Sequence, residues 1–513
     1  MTTPEPEPAA PRPFILELTV FVCGALVMIY EIIGSRVLSP FIGASTYVWT
    51  SLIGVILGAL SLGYWLGGRL ADRQPAIRIL ASVIFLAGGA VSVTILFKDI
   101  VLSFIAGLPA GTEIKSLIAA LLLFAPASVL LGFVTPYTVK LKMLSLADTG
   151  KTVGRLYALS TVGSIFGTFA AGFFLIPFVG STRTLYGIGA ALIVLSILLI
   201  PFSATRSSLM VLILFVLAVG ASEANIYYLR GIEGLHDIDT EYSRVQVFQT
   251  TDPKTGKNIE AMAIDPYFIQ SAMFLDSDDL VFDHSRYYNL IGYYKPDFQN
   301  TLMIGGAGYS FPKEYLRRYP EARMDVVEID PQMTGIARHF FRLPEDPRLN
   351  VIHEDGRAYL NRAPGAKYDA VLMDAYGSLF SVPYQLTTLE AVREIDRVLK
   401  PGGVVIFNLG GAISGPGSGF FQAEFKTYQA VFPQVFLFKV NSDYSDDHLQ
   451  NLIVVASNTS DLPNDAMSHP DVRPLLSHLY EDEIRSKTAI LTDDLAPVEY
   501  YNSVAQDLYH PNR

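Results

Sequence analysis

One cysteine in 513 residues, Cys23, leaves this chain without a disulfide framework and without a Cys-based zinc site. No metal site is expected. Charge is scarce too: 17% of the residues are charged, and the net charge of −11 comes with no basic run. Such a chain lacks the electrostatic footprint of a nucleic-acid binder, so no nucleic-acid partner is expected. The first residues lack the basic segment and small-residue cleavage pattern of a signal peptide. Residues 1–13 are instead rich in Pro and Glu and read as disordered.

What the chain has in excess is apolar sequence. Half of its residues are hydrophobic and its mean hydropathy is +0.34. Seven apolar stretches follow one another: 14–34, 47–68, 77–97, 117–139, 156–179, 185–201 and 209–221. Most reach the ~20 residues that a membrane crossing needs. The last must run on through Ser222 toward Tyr228 to span. Residues 14–230 are therefore read as a transmembrane helical bundle of about seven helices, with the lipid bilayer as its partner. Gly54, Gly58, Gly63, Gly67, Gly163, Gly167 and Gly172 suit close helix packing. Pro126 and Pro136 are expected to kink the fourth helix. Glu31 lies inside the first stretch and either faces the bundle or pairs with Arg36 near an interface.

Chemistry enters at residues 301–376. An apolar run, 301–304, reads as a buried strand and leads into Gly305-Gly306-Ala307-Gly308-Tyr309, then a helical segment, 311–319. A glycine turn between strand and helix lets a ligand approach the backbone beside a helix N-terminus. A second strand, 324–330, ends in acids. Glu328 stands 23 residues after Gly305, placed to accept hydrogen bonds from ribose hydroxyls. A third strand runs into Glu354-Asp355-Gly356, and a fourth, 368–373, into Asp374-Ala375-Tyr376. In a parallel sheet these ends share one rim. The loop has no Lys-Ser/Thr ending and is not a nucleoside-triphosphate loop. Further elements are expected as helix 387–399, strand 403–409, helix 420–432 and strands 435–440 and 449–456. The last two, joined by a short connection, form an antiparallel end. Upstream, 241–264 reads as a small β-hairpin region.

This series resembles S-adenosylmethionine-binding Rossmann-like domains and, among them, the spermidine synthase (polyamine aminopropyltransferase) family in its membrane-fused branch. The family's GGGDG stands here as GGAGY at 305–309, its VEID is kept at 327–330, and its DDG is Glu354-Asp355-Gly356. Its HE matches His284-Ser285, its LDG matches Ile264-Asp265-Pro266 with Gln270 following, and the ending at 491–499 is similar to the branch's TDD…PxE. The resemblance covers residues 240–460. It implies a small β region at 240–295, a Rossmann-like (class I methyltransferase-like) catalytic domain at 296–460 and a C-terminal extension at 461–513.

The implied reaction moves an aminopropyl-type group from S-adenosylmethionine or its decarboxylated form to an amine or polyamine, releasing methylthioadenosine. Asp374 would be the base and Glu328 would hold the ribose. Asp355 would hold the adenine amino group, with Gly305, Gly306, Gly308 and Gly356 against the nucleoside. Gln270 would bind the nucleoside ligand, and His284 would close over it or pack as an interdomain side chain. Tyr309, Tyr359 and Tyr376 are possible pocket walls, with a core role the better expectation for any one of them, and Tyr242 is a further candidate for the pocket. The resemblance also implies a homodimer.

Departures fall on the amine side: Gly308 replaces the loop aspartate, Gly377 the second catalytic aspartate, Ser285 the glutamate after the histidine, and Ser243 a glutamine. Two other readings therefore stand beside the first. One is an enzyme using intact S-adenosylmethionine, by methyl transfer or by cleavage to methylthioadenosine. The other is a transporter or sensor whose nucleoside-binding domain does no chemistry. With seven crossings, nine Lys/Arg gather on one face and five on the other, and the richer face is cytoplasmic. An odd count then puts the catalytic domain outside, although its substrate is cytosolic. Either one stretch does not span, or an extra one lies at 101–108, or the domain is external. The expectation adopted is the inner membrane with a cytoplasmic catalytic domain.

Overall fold

The computed structural model describes residues 13–43, 45–143, 149–200, 206–231, 234–264, 268–375, 382–459, 472–484 and 486–508. The chain divides into two compact units, Met1–Gly231 and Ile232–Arg513.

The first unit is helical throughout its described elements. It comprises α1 (Pro13–Ile42), α2 (Thr46–Arg73), α3 (Ile77–Ala106), α4 (Thr112–Leu123), α5 (Ala125–Gly132) and α6 (Val134–Lys142). Then come α7 (Thr149–Ala170), a π turn at Ala171–Leu175, α8 (Ile176–Phe178), α9 (Ser181–Leu199) and α10 (Arg206–Gly231). Among the described residues, five helices are long and apolar enough to cross a membrane, or six if the bent pair of 112–123 and 125–142 is one span. Together with α10 these are the about seven helices expected for residues 14–230. Residues 101–106, one alternative for an extra crossing, continue α3 to its end. The seventh stretch does run on past Ser222, as α10, but its apolar part is the shorter Leu209–Asn225.

The bent pair turns by 52°. Pro126 lies in the first turn of α5, where its missing N–H breaks no helical bond. The carbonyl exposed at the break is recaptured: Leu123 O accepts from Tyr30 Oη at 2.9 Å and from Thr94 Oγ1 at 2.7 Å. In apolar surroundings such recapture is what makes a broken helix tolerable. Glycines set the closest crossings. A Cβ on Gly163 would lie 2.1 Å from Phe21 O, and one on Gly167 2.2 Å from Ala25 O, so α1 and α7 meet backbone to backbone. Gly54 has nothing within 4 Å of its Cβ position. Gly167→Ile should therefore cost stability by at least the about 1–3 kcal/mol of overpacking, read as a lower melting temperature in detergent, while Gly54→Ile should melt like the parent.

The second unit opens with a four-stranded antiparallel sheet in the order β1-β2-β3-β4: β1 (His236–Asp239), β2 (Arg244–Thr251), β3 (Asn258–Ala263) and β4 (Ile269–Phe274). The hairpin read from sequence is thus its middle, and the sheet begins at His236 rather than 240. The chain passes through α11 (Asp283–Arg286), a 3-10 turn (Tyr287–Leu290) and α12 (Ile291–Tyr294) into the main sheet. The main strands are β5 (Asn300–Ile304), β6 (Arg323–Glu328), β7 (Leu349–His353), β8 (Tyr368–Met373), β9 (Leu399–Gly411), β10 (Gln434–Lys439) and β11 (Gln450–Ser457), in the order β10-β11-β9-β8-β5-β6-β7.

Strands β5 to β9 pair in parallel, and β11 runs antiparallel to both β9 and β10. This is a Rossmann-like, class I methyltransferase-like sheet. All six residues of β8 are buried, as a strand covered on both faces requires. The helices of this unit are α13 (Ser310–Arg318), α14 (Pro331–Phe340), α15 (Gly356–Arg362), α16 (Leu389–Val398), α17 (Gly419–Gln429), α18 (Arg473–Leu476) and α19 (Val498–Leu508). The order reverses between β5 and β8, so the crevice at their C-terminal ends is the switch point where such sheets take ligands.

Candidate active site

The glycine loop sits at that switch point. Gly305 has φ +94°, and a Cβ there would lie 2.3 Å from Asp374 O. Only glycine lets β5 turn while touching the end of β8. Asp374 N donates to Ile304 O at 2.9 Å, which fixes the two strand ends together. Glu328, at the tip of β6, is buried and reaches back to the loop. Its Oε2 accepts from Gly306 N (2.8 Å) and Ala307 N (3.1 Å), and its Oε1 from Asp330 N (2.9 Å). A carboxylate offers about four lone-pair sites, so three contacts leave little beyond one for a ribose hydroxyl. The residue expected to hold the nucleoside also holds the loop.

The neighbouring acids are helix caps. Asp355 Oδ1 accepts from Ala358 N at 2.9 Å at the start of α15, just ahead of the buried Gly356. Asp330 Oδ1 accepts from Gln332 N at 3.0 Å and starts α14, while its Oδ2 is buried without a partner. Between Glu328 and Asp330, Ile329 is 40% exposed. An apolar face flanked by acids suits a purine-ribose, a signal present in the VEID run but unused in the sequence reading. Tyr242 is exposed, and its phenol is pushed up first by its remaining burial and then by Glu241, Asp330, Asp355 and Glu328. It lies in the field of this acidic edge.

On the other side of the loop is a cavity of about 160 Å³. It brings together Gln270, His284, Gly305, Gly306 and Asp374. Glu328, Asp355, Gly356 and Tyr242 are not among its described walls. Burial pushes the Asp374 carboxyl above the ordinary carboxylate range; the His284 ring and hydrogen bonds with Asn408 and Tyr288 pull it back down. Burial likewise holds the His284 imidazole below its ordinary range, against Asp374 and Asp283. That ring stacks on Phe282, with centroids 5.4 Å apart. Among the described residues no group of three or more His, Cys, Asp or Glu is placed to hold a metal ion.

Two of the candidate tyrosines take the core role. Tyr309 is fully buried at φ +53°, which turns its ring back under Gly306, and its hydroxyl meets Thr334 Oγ1 at 2.8 Å. Tyr359 is buried against Tyr368, to which its hydroxyl is hydrogen-bonded. Tyr376, Gly377 and Asp265 lie outside the described residues. Gly308 lines neither edge: its N–H donates to Ser271 Oγ at 3.1 Å. In the C-terminal extension, Asp493 accepts from Arg357 Nη2 at 2.9 Å and from Thr388 Oγ1 at 2.6 Å, so it anchors that segment to α15 and the start of α16. Sequence reasoning missed Ser271, Asn408 and Asn451, which enter the cavity from β4, β9 and β11. No spacing rule connects them to the loop.

The profile of the spermine/spermidine synthase domain matches residues 280–413. The chain is 30% identical over 203 residues to the polyamine aminopropyltransferase of Vibrio vulnificus, a match covering 39% of this chain and 64%, just under two thirds, of that relative. It is 25% identical over 443 residues to polyamine aminopropyltransferase 1 of Streptomyces coelicolor, covering 79% of this chain and 77% of the relative. A crystal structure of a probable spermidine synthase from Corynebacterium glutamicum superimposes with a TM-score of 0.43 at 21% identity, over 51% of this chain and 96% of that one.

Glu328→Gln exchanges a charged acceptor of three N–H groups for a neutral amide. Hydrogen bonds to charged groups contribute about 1.5–3 kcal/mol each, so calorimetry should find methylthioadenosine bound about tenfold more weakly or worse, and the variant should melt earlier.

Proposed function

We propose that this chain, which carries a spermine/spermidine synthase domain and is homologous to polyamine aminopropyltransferases, is a membrane-embedded transferase. It would move an aminopropyl-type group from a sulfonium nucleoside to an amine and release methylthioadenosine. The observation that carries this reading is the position of Asp374. It ends β8 at the switch point, touches the glycine loop through its backbone, and lines the cavity beside His284. A carboxylate there can orient an incoming amine and take its proton as the amine attacks the carbon beside sulfur. Little else is asked of the protein, because the sulfonium is already a good leaving group. The acidic edge of Glu328, Asp330 and Asp355 would grip the adenosine while Ile329 faces the base.

The elevated Asp374 pKa fixes the sign of the pH dependence. The base must be ionised, so turnover should rise with pH through that pKa. Tyr288 helps to keep the carboxyl from rising further. Tyr288→Phe should therefore move the acid limb of the rate profile to higher pH. Asp374→Asn should abolish turnover while methylthioadenosine binding stays within about threefold by calorimetry, a change below 1 kcal/mol; unchanged turnover would remove Asp374 from the mechanism.

The five or six apolar helices support a membrane anchor, and six crossings would return the chain to the side of its N-terminus, where nine cations gather. The catalytic unit would then face the cytoplasm. Cys23 is the sole cysteine and is buried, so a cysteine introduced by Lys487→Cys would be the one accessible thiol. It should react with an impermeant maleimide only after the membrane is opened; labelling in intact cells would overturn the orientation.

A further inference from the structure

The cavity beneath the glycine loop carries a single carboxylate among its described walls, Asp374. The place from which residue 308 could add another is filled. A Cβ on Gly308 would lie 2.6 Å from Ser271 Cβ, and Ser271 Oγ already accepts the Gly308 N–H. Having accepted that N–H on one lone pair, the Ser271 hydroxyl still has a proton to give. The wall there is neutral and able to donate.

Beside it the cavity meets the start of α13. Ser310 and Phe311, the first residues of this nine-residue helix, both line the cavity. The first turn of a helix presents N–H groups without intrahelical acceptors and the positive end of the helix dipole, which together favour an anion. A second observation, independent of the helix, points to a ligand that also donates. Asn408 is 7% exposed and lines the same space, and its side-chain Oδ1 has no hydrogen-bond partner. A buried carbonyl oxygen left without an N–H is costly, and this one lies beside Asp374, with which Asn408 is hydrogen-bonded. One cavity therefore offers donors for a carboxylate and acceptors for an ammonium.

Resting on the transferase reading above, we propose that the donor keeps its amino-acid carboxylate, so that the group transferred is aminocarboxypropyl rather than aminopropyl. The amine's lone pair forms the new C–N bond at the carbon beside sulfur. The C–S bond breaks with its electron pair going to sulfur, which leaves as the neutral thioether methylthioadenosine. The proton shed by the amine passes to Asp374 and on to solvent. The helix start and Ser271 receive the carboxylate, and Asn408 with Asp374 receives the donor's ammonium.

Calorimetry on the full chain in detergent, with S-adenosylmethionine and its decarboxylated form titrated separately, tests this without knowledge of the acceptor. The expected result is that the intact donor binds about tenfold more tightly or better, the scale of one well-placed charge interaction. Equal affinity, or preference for the decarboxylated form, overturns the proposal and leaves the transferase reading standing. No binding of either donor or of methylthioadenosine overturns the transferase reading itself. Product analysis adds a second arm: S-adenosylhomocysteine released from the intact donor would mean methyl transfer and would also overturn the proposal. The double substitution Ser271→Gly with Gly308→Asp makes room for a carboxylate on the loop. It should shift the ratio of the two affinities toward the decarboxylated donor by about tenfold. A folded double variant with an unchanged ratio overturns the assignment of the carboxylate to this wall; should it not fold, the parent's two titrations still decide.

Discussion

The second unit depends on one carboxylate that points backwards. Glu328 ends β6, yet its two oxygens are committed to the N–H groups of Gly306, Ala307 and Asp330. A loop of Gly-Gly-Ala-Gly has little side-chain packing to define it, and ordering such residues costs more entropy than ordering others. The charge of a neighbouring strand supplies the definition. Once the loop is fixed, the acids at the ends of β6 and β7 form one edge, where a nucleoside is proposed to sit, while Gly305 and Gly306 share a cavity with Asp374. Two chemically different half-sites are thus separated by a few residues of backbone.

The order of elements in this unit was legible from the chain because parallel strands read as short apolar runs and each ends in a recognisable polar residue. The strands β5 to β11 lie within a residue or two of their expected limits, apart from the longer β9. The acids at the strand ends were legible for the same reason. What was hidden is what comes from far away. Ser271, Asn408 and Asn451 are ordinary polar residues on three separate strands, and only the fold brings them to one cavity. Nothing in a tyrosine announces a left-handed backbone, and the φ of Tyr309 decides which way its ring points. The first and last strands of the small sheet were missed because His236–Asp239 is short and polar, and because β4 lacks a clean alternation.

The first unit shows the opposite balance. Hydropathy located its helices, and Pro126 marked where the fourth would bend, but neither shows what makes the break tolerable. The division at Phe124 depends on Tyr30 and Thr94 capturing a carbonyl from helices distant in sequence. Its tightest crossings depend on glycines whose importance is invisible by type: Gly167 meets backbone and Gly54 meets nothing.

The anchoring of Asp493 to Arg357 and Thr388 has a consequence for how the chain can be handled and regulated. Arg357 follows directly on Asp355 and Gly356, so the final segment is tethered to the helix whose cap belongs to the acidic edge. Clipping, fusing or chemically altering residues after 490 would loosen that cap from a distance. The tail behaves as a guy-line on the nucleoside edge, and slack in it would be felt where adenosine is expected to sit.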